Sequence, residues 1–168
     1  MNRRILVFGN SGSGKSTLAT ALCRQWALAH LDLDTLAWEA ASTPTRRDLA
    51  ASAKDIRDFI ASAPGGWVIE GCYADLLACV RQEADEVLWL DLPVGDCVAN
   101  ARQRPWETHK YPSKAAQDEN LAMLIDWIGD YEHRRDEFSR SAHATFFERF
   151  DGRKRRITQR MRADDLLR

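Results

Sequence analysis

At 168 residues the chain is long enough to bury one core and too short for two domains of ordinary size. Hydrophobic residues supply 45% and charged residues 29%, the balance of a folded protein and not of a disordered one. With 24 basic residues against 25 acidic ones the net charge is −1, which leaves no electrostatic case for nucleic acid or an acidic membrane surface as the main partner.

The first apolar run, Ile5-Leu6-Val7-Phe8, is closed by Gly9 and reads as a buried strand. It falls far short of the roughly 20 residues that a bilayer demands, and nothing near it has the pattern of a signal peptide. Cys23, Cys72, Cys79 and Cys97 form no C-x-x-C pair and no zinc spacing. The expectation is a cytoplasmic protein whose thiols pack in the core.

Immediately after that strand, Gly9-Asn10-Ser11-Gly12-Ser13-Gly14-Lys15-Ser16 satisfies G-x-x-x-x-G-K-S/T at every specified position. Glycines let successive backbone N–H groups turn inward toward phosphate oxygens. The helix that begins here adds unpaired N–H groups and its positive dipole end. Lys15 is placed to neutralise β- and γ-phosphates, and Ser16 to ligate magnesium. Leu18, Ala21, Leu22 and Cys23 then recur at helical spacing from Lys15 to Trp26.

A second strand is predicted at Ala29 to Leu33, a helix over residues 45–63, and a third strand at Trp67-Val68-Ile69. A short helix follows at about 74–82 and a fourth strand at Val87-Leu88-Trp89-Leu90. Pro93 opens a helix that leaves through Arg102-Gln103-Arg104-Pro105-Trp106 into a polar, basic stretch ending near Lys114. Helices are predicted over 115–129 and 131–141, a fifth strand over Thr145 to Phe150, and a last basic helix after Gly152, with Lys154-Arg155-Arg156 on its solvated face. Strands alternating with helices predict a parallel sheet covered on both faces, a three-layer α/β/α sandwich in a single domain.

Ligands of an open α/β sheet sit beyond the carboxyl ends of its strands. Asp32 and Asp34 close the second strand, Glu70 the third and Asp91 the fourth. Such carboxylates hold magnesium or accept a proton from a substrate hydroxyl. Pattern alone leaves Glu70 and Asp91 tied for the magnesium side. Arg102 and Arg104 precede a proline stop and a loop able to close over phosphates, where arginines offset the charge of transfer. Trp38 and Arg46-Arg47 flank the exit of the second strand and are candidates to line an acceptor pocket.

Four strings together carry a resemblance: Gly9 through Thr17, His30-Leu31-Asp32-Leu33-Asp34-Thr35-Leu36-Ala37-Trp38, Trp67-Val68-Ile69-Glu70-Gly71-Cys72-Tyr73, and Leu90-Asp91-Leu92-Pro93. On them the chain resembles the P-loop small-molecule kinases, and within these the adenylate-kinase-related and shikimate-kinase-like kinases, including the FlaR-like topology-modulation group. The resemblance implies a nucleoside-monophosphate-kinase-like P-loop NTPase with a five-stranded parallel sheet in the order 2-3-1-4-5 and a lid at about 102–114. It implies Mg-ATP, held along Gly9 to Thr17, and phosphoryl transfer to a small acceptor. By the same match Asp32 meets the metal and Asp34 the acceptor, Glu70 and not Asp91 takes the magnesium side, Arg102 and Arg104 begin the lid, and Gly152 and Arg153, in the loop after the last strand, touch adenine. The triple-glycine turn of shikimate kinases and the acceptor-site strings of adenylate kinases are not present, so the acceptor is left open. The competing function is a regulatory nucleotide-binding ATPase with no small-molecule acceptor. A GTPase would need an N-K-x-D string, which the chain lacks.

Overall fold

The computed structural model describes residues 2–162 and 165. Its sheet has five parallel strands, β1 (Arg3–Gly9), β2 (Ala29–Asp32), β3 (Gly66–Gly71), β4 (Glu86–Leu90) and β5 (Arg153–Ile157), in the order β2-β3-β1-β4-β5. Successive strand residues point to opposite faces, so the apolar run of β1 divides between two cores. Leu6 and Phe8 join Trp67, Ile69, Val87 and Trp89 on one face. Ile5 and Val7 join Val68, Leu88 and Leu90 on the other. Each buried side chain of this size contributes about 1.5–3 kcal/mol, and a strand apolar on both sides is stable only with helices on both faces.

The first face is covered by α2 (Leu49–Ser62), α3 (Ala74–Val80) and α7 (Arg140–Glu148), which supply Ile56, Leu76, Leu77 and Phe146. The second is covered by α1 (Lys15–Trp26), α4 (Val94–Arg102) and α6 (Leu121–Gly129), which supply Leu18, Leu22, Cys97, Ala101 and Ile128. The three-layer sandwich expected from the alternation of strands and helices is therefore the architecture observed. Among the described residues no helix is long and apolar enough to cross a membrane.

The C-terminal third departs from expectation. Residues 145–150, predicted as the fifth strand, belong to α7 and the turn after it, capped at its start by Ser139 Oγ, which accepts from the Ala142 amide at 3.0 Å. The basic string predicted as a helix is instead β5, on the sheet edge beside β4. Charge hides such a strand from a hydrophobic reading, yet an edge strand accommodates charge readily. Here Arg156 bonds Asp91 at 2.5 and 2.8 Å, and the Lys154 ammonium donates to the Phe150 carbonyl at 3.1 Å. The helix predicted over 131–141 is a single 3₁₀ turn, Asp130–Glu132, followed by turns. That predicted over 115–129 breaks at Asn120 into α5 (Lys114–Glu119) and α6.

Candidate active site

The turn from β1 into α1 is shaped by contacts that only glycine permits. Gly12 has φ +76°, and a Cβ there would stand 2.4 Å from the Cys97 carbonyl oxygen at the start of α4. Gly9 has φ +151°, with the Leu90 carbonyl oxygen 2.4 Å from its missing Cβ. Two amides fasten the loop to its surroundings: Asn100 Nδ2 donates to the Gly12 carbonyl at 2.8 Å, and the loop's own Asn10 Nδ2 donates to the Ile128 carbonyl at 3.1 Å. α1 begins after Gly14 with no side-chain cap. Ser13 Oγ is buried with no hydrogen-bond partner among the described residues, and Lys15 Nζ bends back to the Asn10 carbonyl at 2.8 Å. An uncapped helix start, an orphaned buried hydroxyl and a lysine resting on its own loop together fit a tetrahedral anion.

This loop floors a cleft of about 820 Å³, lined also by Asp34, Glu70, Arg104, Glu107 and Lys110. Register explains how distant residues meet there: Asp32 pairs with Glu70 in β2–β3, and Val7 with Glu70 in β1–β3, so the carboxyl ends of these strands open on one edge. Glu70, 2% exposed, accepts from Ser16 Oγ at 2.6 Å and has His30 Nε2 at 3.4 Å.

Asp34 is clamped from two sides. Tyr73 donates its hydroxyl to Oδ1 at 2.5 Å, oriented in turn by Trp38 Nε1 donating to the Tyr73 oxygen at 2.7 Å. Lys110 Nζ donates to Oδ2 at 2.8 Å and stands 3.5 Å from Asp32 and 3.6 Å from Glu107. Surrounding protein works against the Asp34 charge, but the Lys110 ammonium and the hydrogen bonds from Lys110 and Tyr73 outweigh it, and the carboxyl lies below its usual range. Asp32 goes the other way: burial, then the charges of Glu70 and Asp34, push it up, and Lys110 offsets only part. Lys110 loses solvation but stays above its ordinary value because Asp34 and Asp32 stabilise the ammonium.

Behind the cleft, a buried relay holds the turn after β3. Trp89 Nε1 donates to the Tyr131 hydroxyl at 3.2 Å, Tyr131 pairs with His143 Nδ1 at 2.8 Å, and His143 Nε2 faces the Cys72 carbonyl at 2.8 Å. Burial pulls His143 down to about 4, so the ring is neutral. A carbonyl only accepts, which puts the proton on Nε2 and leaves Nδ1 to accept from Tyr131. Burial likewise pushes the Cys72 thiol up to about 12 and Cys97 to about 11, so both stay protonated and pack as apolar groups.

The structure brings Ser11, Gly12, Ser13, Gly14, Lys15, Ser16, Thr17, Asp34, Glu70 and Arg104 into the one cleft. Asp32 reaches it through Lys110. Arg102 does not: it lines a separate small pocket with Tyr111 and Leu121. Asp91 is taken up elsewhere, its side chain 4% exposed and gripped by Arg140 and Arg156. Gly152 and Arg153 lie at the opposite edge of the sheet, where the Arg153 amide donates to the Asp85 carbonyl at 3.1 Å before β4 begins. The reason is the displaced fifth strand: with β5 at Arg153–Ile157, the loop that borders the cleft is the next one, contributing Gln159, Arg160, Met161 and Arg162. Sequence reasoning assigned no role to Lys110, Tyr73 or Glu107. Tyr73 stood in a string singled out above, but a phenol after a strand carries no periodic signal.

No family model matches the chain, and no curated protein matches its sequence. Solved structures do resemble it. A gluconokinase from Sinorhizobium meliloti 1021 aligns with a TM-score of 0.59 at 16% identity, over 98% of this chain and 87% of that one. A sugar kinase from Janibacter sp. HTCC2649 aligns with a TM-score of 0.56 at 15% identity, over 99% of this chain and 91% of that one. Identity this low speaks for the fold alone, and the fold shared with these two structures is an α/β sandwich whose parallel sheet here runs in the order 2-3-1-4-5.

Proposed function

We propose that this protein is a Mg-ATP-dependent kinase that transfers a phosphoryl group to a hydroxyl of a small molecule. In this reading the amides of Gly9 to Thr17 and the orphaned Ser13 hydroxyl cradle the phosphates, and Lys15 leaves the Asn10 carbonyl to neutralise the β- and γ-oxygens. Ser16 and Glu70 hold the metal, with Asp32 nearby. Magnesium bound with a nucleotide takes most of its ligands from phosphate and water, so one or two protein oxygens suffice. Arg104 and the stretch around 102–114 act as the lid, residues 157–162 take the place expected of Gly152 and Arg153 beside the base, and Asp34 orients the acceptor hydroxyl and receives its proton. Positioning and charge do nearly all the work in such a transfer.

One observation carries this reading: a single cleft joins the phosphate loop to Asp34, with the Ser16–Glu70 contact at 2.6 Å among its lining residues. The free cysteines agree with a reducing cytoplasm. ADP release from Mg-ATP across hydroxylated metabolites, nucleosides and nucleotides tests it. An acceptor that raises turnover in the parent and not in Lys15→Ala is the expected result.

A second reading, a regulatory ATPase without an acceptor, draws on the clamp itself. Both Asp34 oxygens already have protein partners, as in a site that never receives a substrate. ATP binding with flat turnover across every acceptor would favour it.

A further inference from the structure

The charges on the acceptor side of the cleft discriminate among acceptors. Leaving Lys15 and Glu70 to the nucleotide, the groups there are Asp34, Glu107, Arg104 and Lys110 on the wall, with Asp32 just behind. Three carboxylates thus face two cations, and both cations are engaged. Lys110 is held by Asp34 at 2.8 Å with Asp32 and Glu107 within 3.6 Å, and Arg104 Nη1 donates to Glu107 at 3.1 Å. His109 Nε2 stands 4.0 Å from Asp32.

The next cation outward is also engaged. Arg46, which flanks Trp38 and Tyr73, binds Glu137 at 2.6 Å and Asp75 at 3.0 Å, and donates through Nε to the Ala37 carbonyl at 3.2 Å. Carboxylates and phosphates are recognised by arginine forks and lysines free to meet them. Arg160 and Arg162 border the same cleft, but they follow β5, at the other sheet edge from β2 and Asp34. On the acceptor side an anion would have to break an existing ion pair and leave a carboxylate uncompensated beside its own charge. A hydroxylated neutral molecule needs no such exchange, because a carboxylate oxygen that already accepts one hydrogen bond has a lone pair left to accept an O–H.

We propose that the acceptor is an uncharged polyhydroxy compound, a sugar, cyclitol or nucleoside without phosphate or carboxylate, selected by Asp32, Asp34 and Glu107 against anions. This rests on the kinase reading above. The test supplies Mg-ATP labelled in its γ-phosphate together with a deproteinised metabolite extract separated by ion exchange into neutral, anion-retained and cation-retained pools. Lys15→Ala serves as the control, and nucleotide binding is followed in parallel.

Transfer concentrated in the neutral pool, on the order of 10²-fold above the anionic pool, is the expected result. Transfer chiefly into the anionic or the cationic pool overturns the inference while sustaining the kinase. No transfer into any pool by protein that binds Mg-ATP overturns the kinase reading, and the inference with it. Glu107→Gln removes one carboxylate and releases Arg104, so the ratio of anionic to neutral transfer should rise in that variant. A ratio that stays put would remove Glu107 from the selecting group.

Discussion

The two ends of the cleft are prepared in opposite ways. At the phosphate end the protein has left groups unsatisfied: a helix start without a cap, a buried Ser13 hydroxyl without a partner, and a lysine parked on its own loop. At the acceptor end every prominent group is satisfied internally, Asp34 by Tyr73 and Lys110, Arg104 by Glu107. Unmade hydrogen bonds in a rigid cradle favour any ligand able to complete them. Bonds already made favour only a ligand that can join or exchange with them, and such a site selects by chemistry before it binds by strength. On the kinase reading proposed above, the phosphate end is thus built for affinity and the acceptor end for choice.

The sharpest way to break that comparison is at the phosphate end. Lys15→Ala should reduce kcat/KM by on the order of 10²- to 10³-fold, the loss found when one preorganised group facing transition-state charge is removed. Thermal melting should hardly change, because Lys15 is bonded only to a carbonyl of its own loop among the described residues. A large fall in melting temperature would mean that the lysine holds the loop together and is not held in reserve.

The next contrast sets Glu70 against Asp91, which stand one strand apart and look alike in sequence. Glu70→Gln should cut transfer and raise the magnesium concentration needed for half-maximal rate, leaving stability close to the parent. Asp91→Asn should do the reverse. It loses charge-assisted bonds to Arg140 and Arg156 at about 1.5–3 kcal/mol each, though those guanidiniums are 39% and 44% exposed and water replaces much of that. A net loss of about 2 kcal/mol, with an unchanged magnesium requirement, is the expected outcome in chemical denaturation. A shifted magnesium requirement in Asp91→Asn would reverse the two assignments.

That pair also shows how far the sequence could be read. Local features were legible: the phosphate loop lies on consecutive residues, and β1, β3 and β4 are apolar runs whose burial on both faces leaves a continuous signature. The carboxylates at strand ends were legible as candidates, but the difference between Glu70 and Asp91 is made by partners from remote elements, Ser16 for one and Arg140 and Arg156 for the other. β5 was illegible because four of its five residues are exposed and basic, and only Ile157 enters the core. Because β5 ends at Ile157, the loop that borders the cleft carries Gln159 to Arg162 and not Gly152 and Arg153. Lys110 lies in a segment without periodicity, and its significance is a distance to Asp34 across 76 positions.

The smallest effect tests the acceptor end directly. Tyr73→Phe removes one of the two donors that hold Asp34 below the usual carboxyl range, and leaves Lys110 in place. If Asp34 takes the proton of the acceptor hydroxyl it must be ionised, so activity is present above its pKa and is lost as pH falls through it. Losing the phenol raises that pKa, and the acid limb of the kcat/KM profile should move to higher pH. The rate on the plateau should fall by about five- to ten-fold, the worth of one hydrogen bond to an oriented group. A purely structural phenol would lower the plateau without moving the limb, because Trp38 would lose its acceptor but the ionisation that matters would belong elsewhere. A limb that moves while Mg-ATP binding stays constant places the titrating group at the acceptor end and separates it from the phosphate cradle.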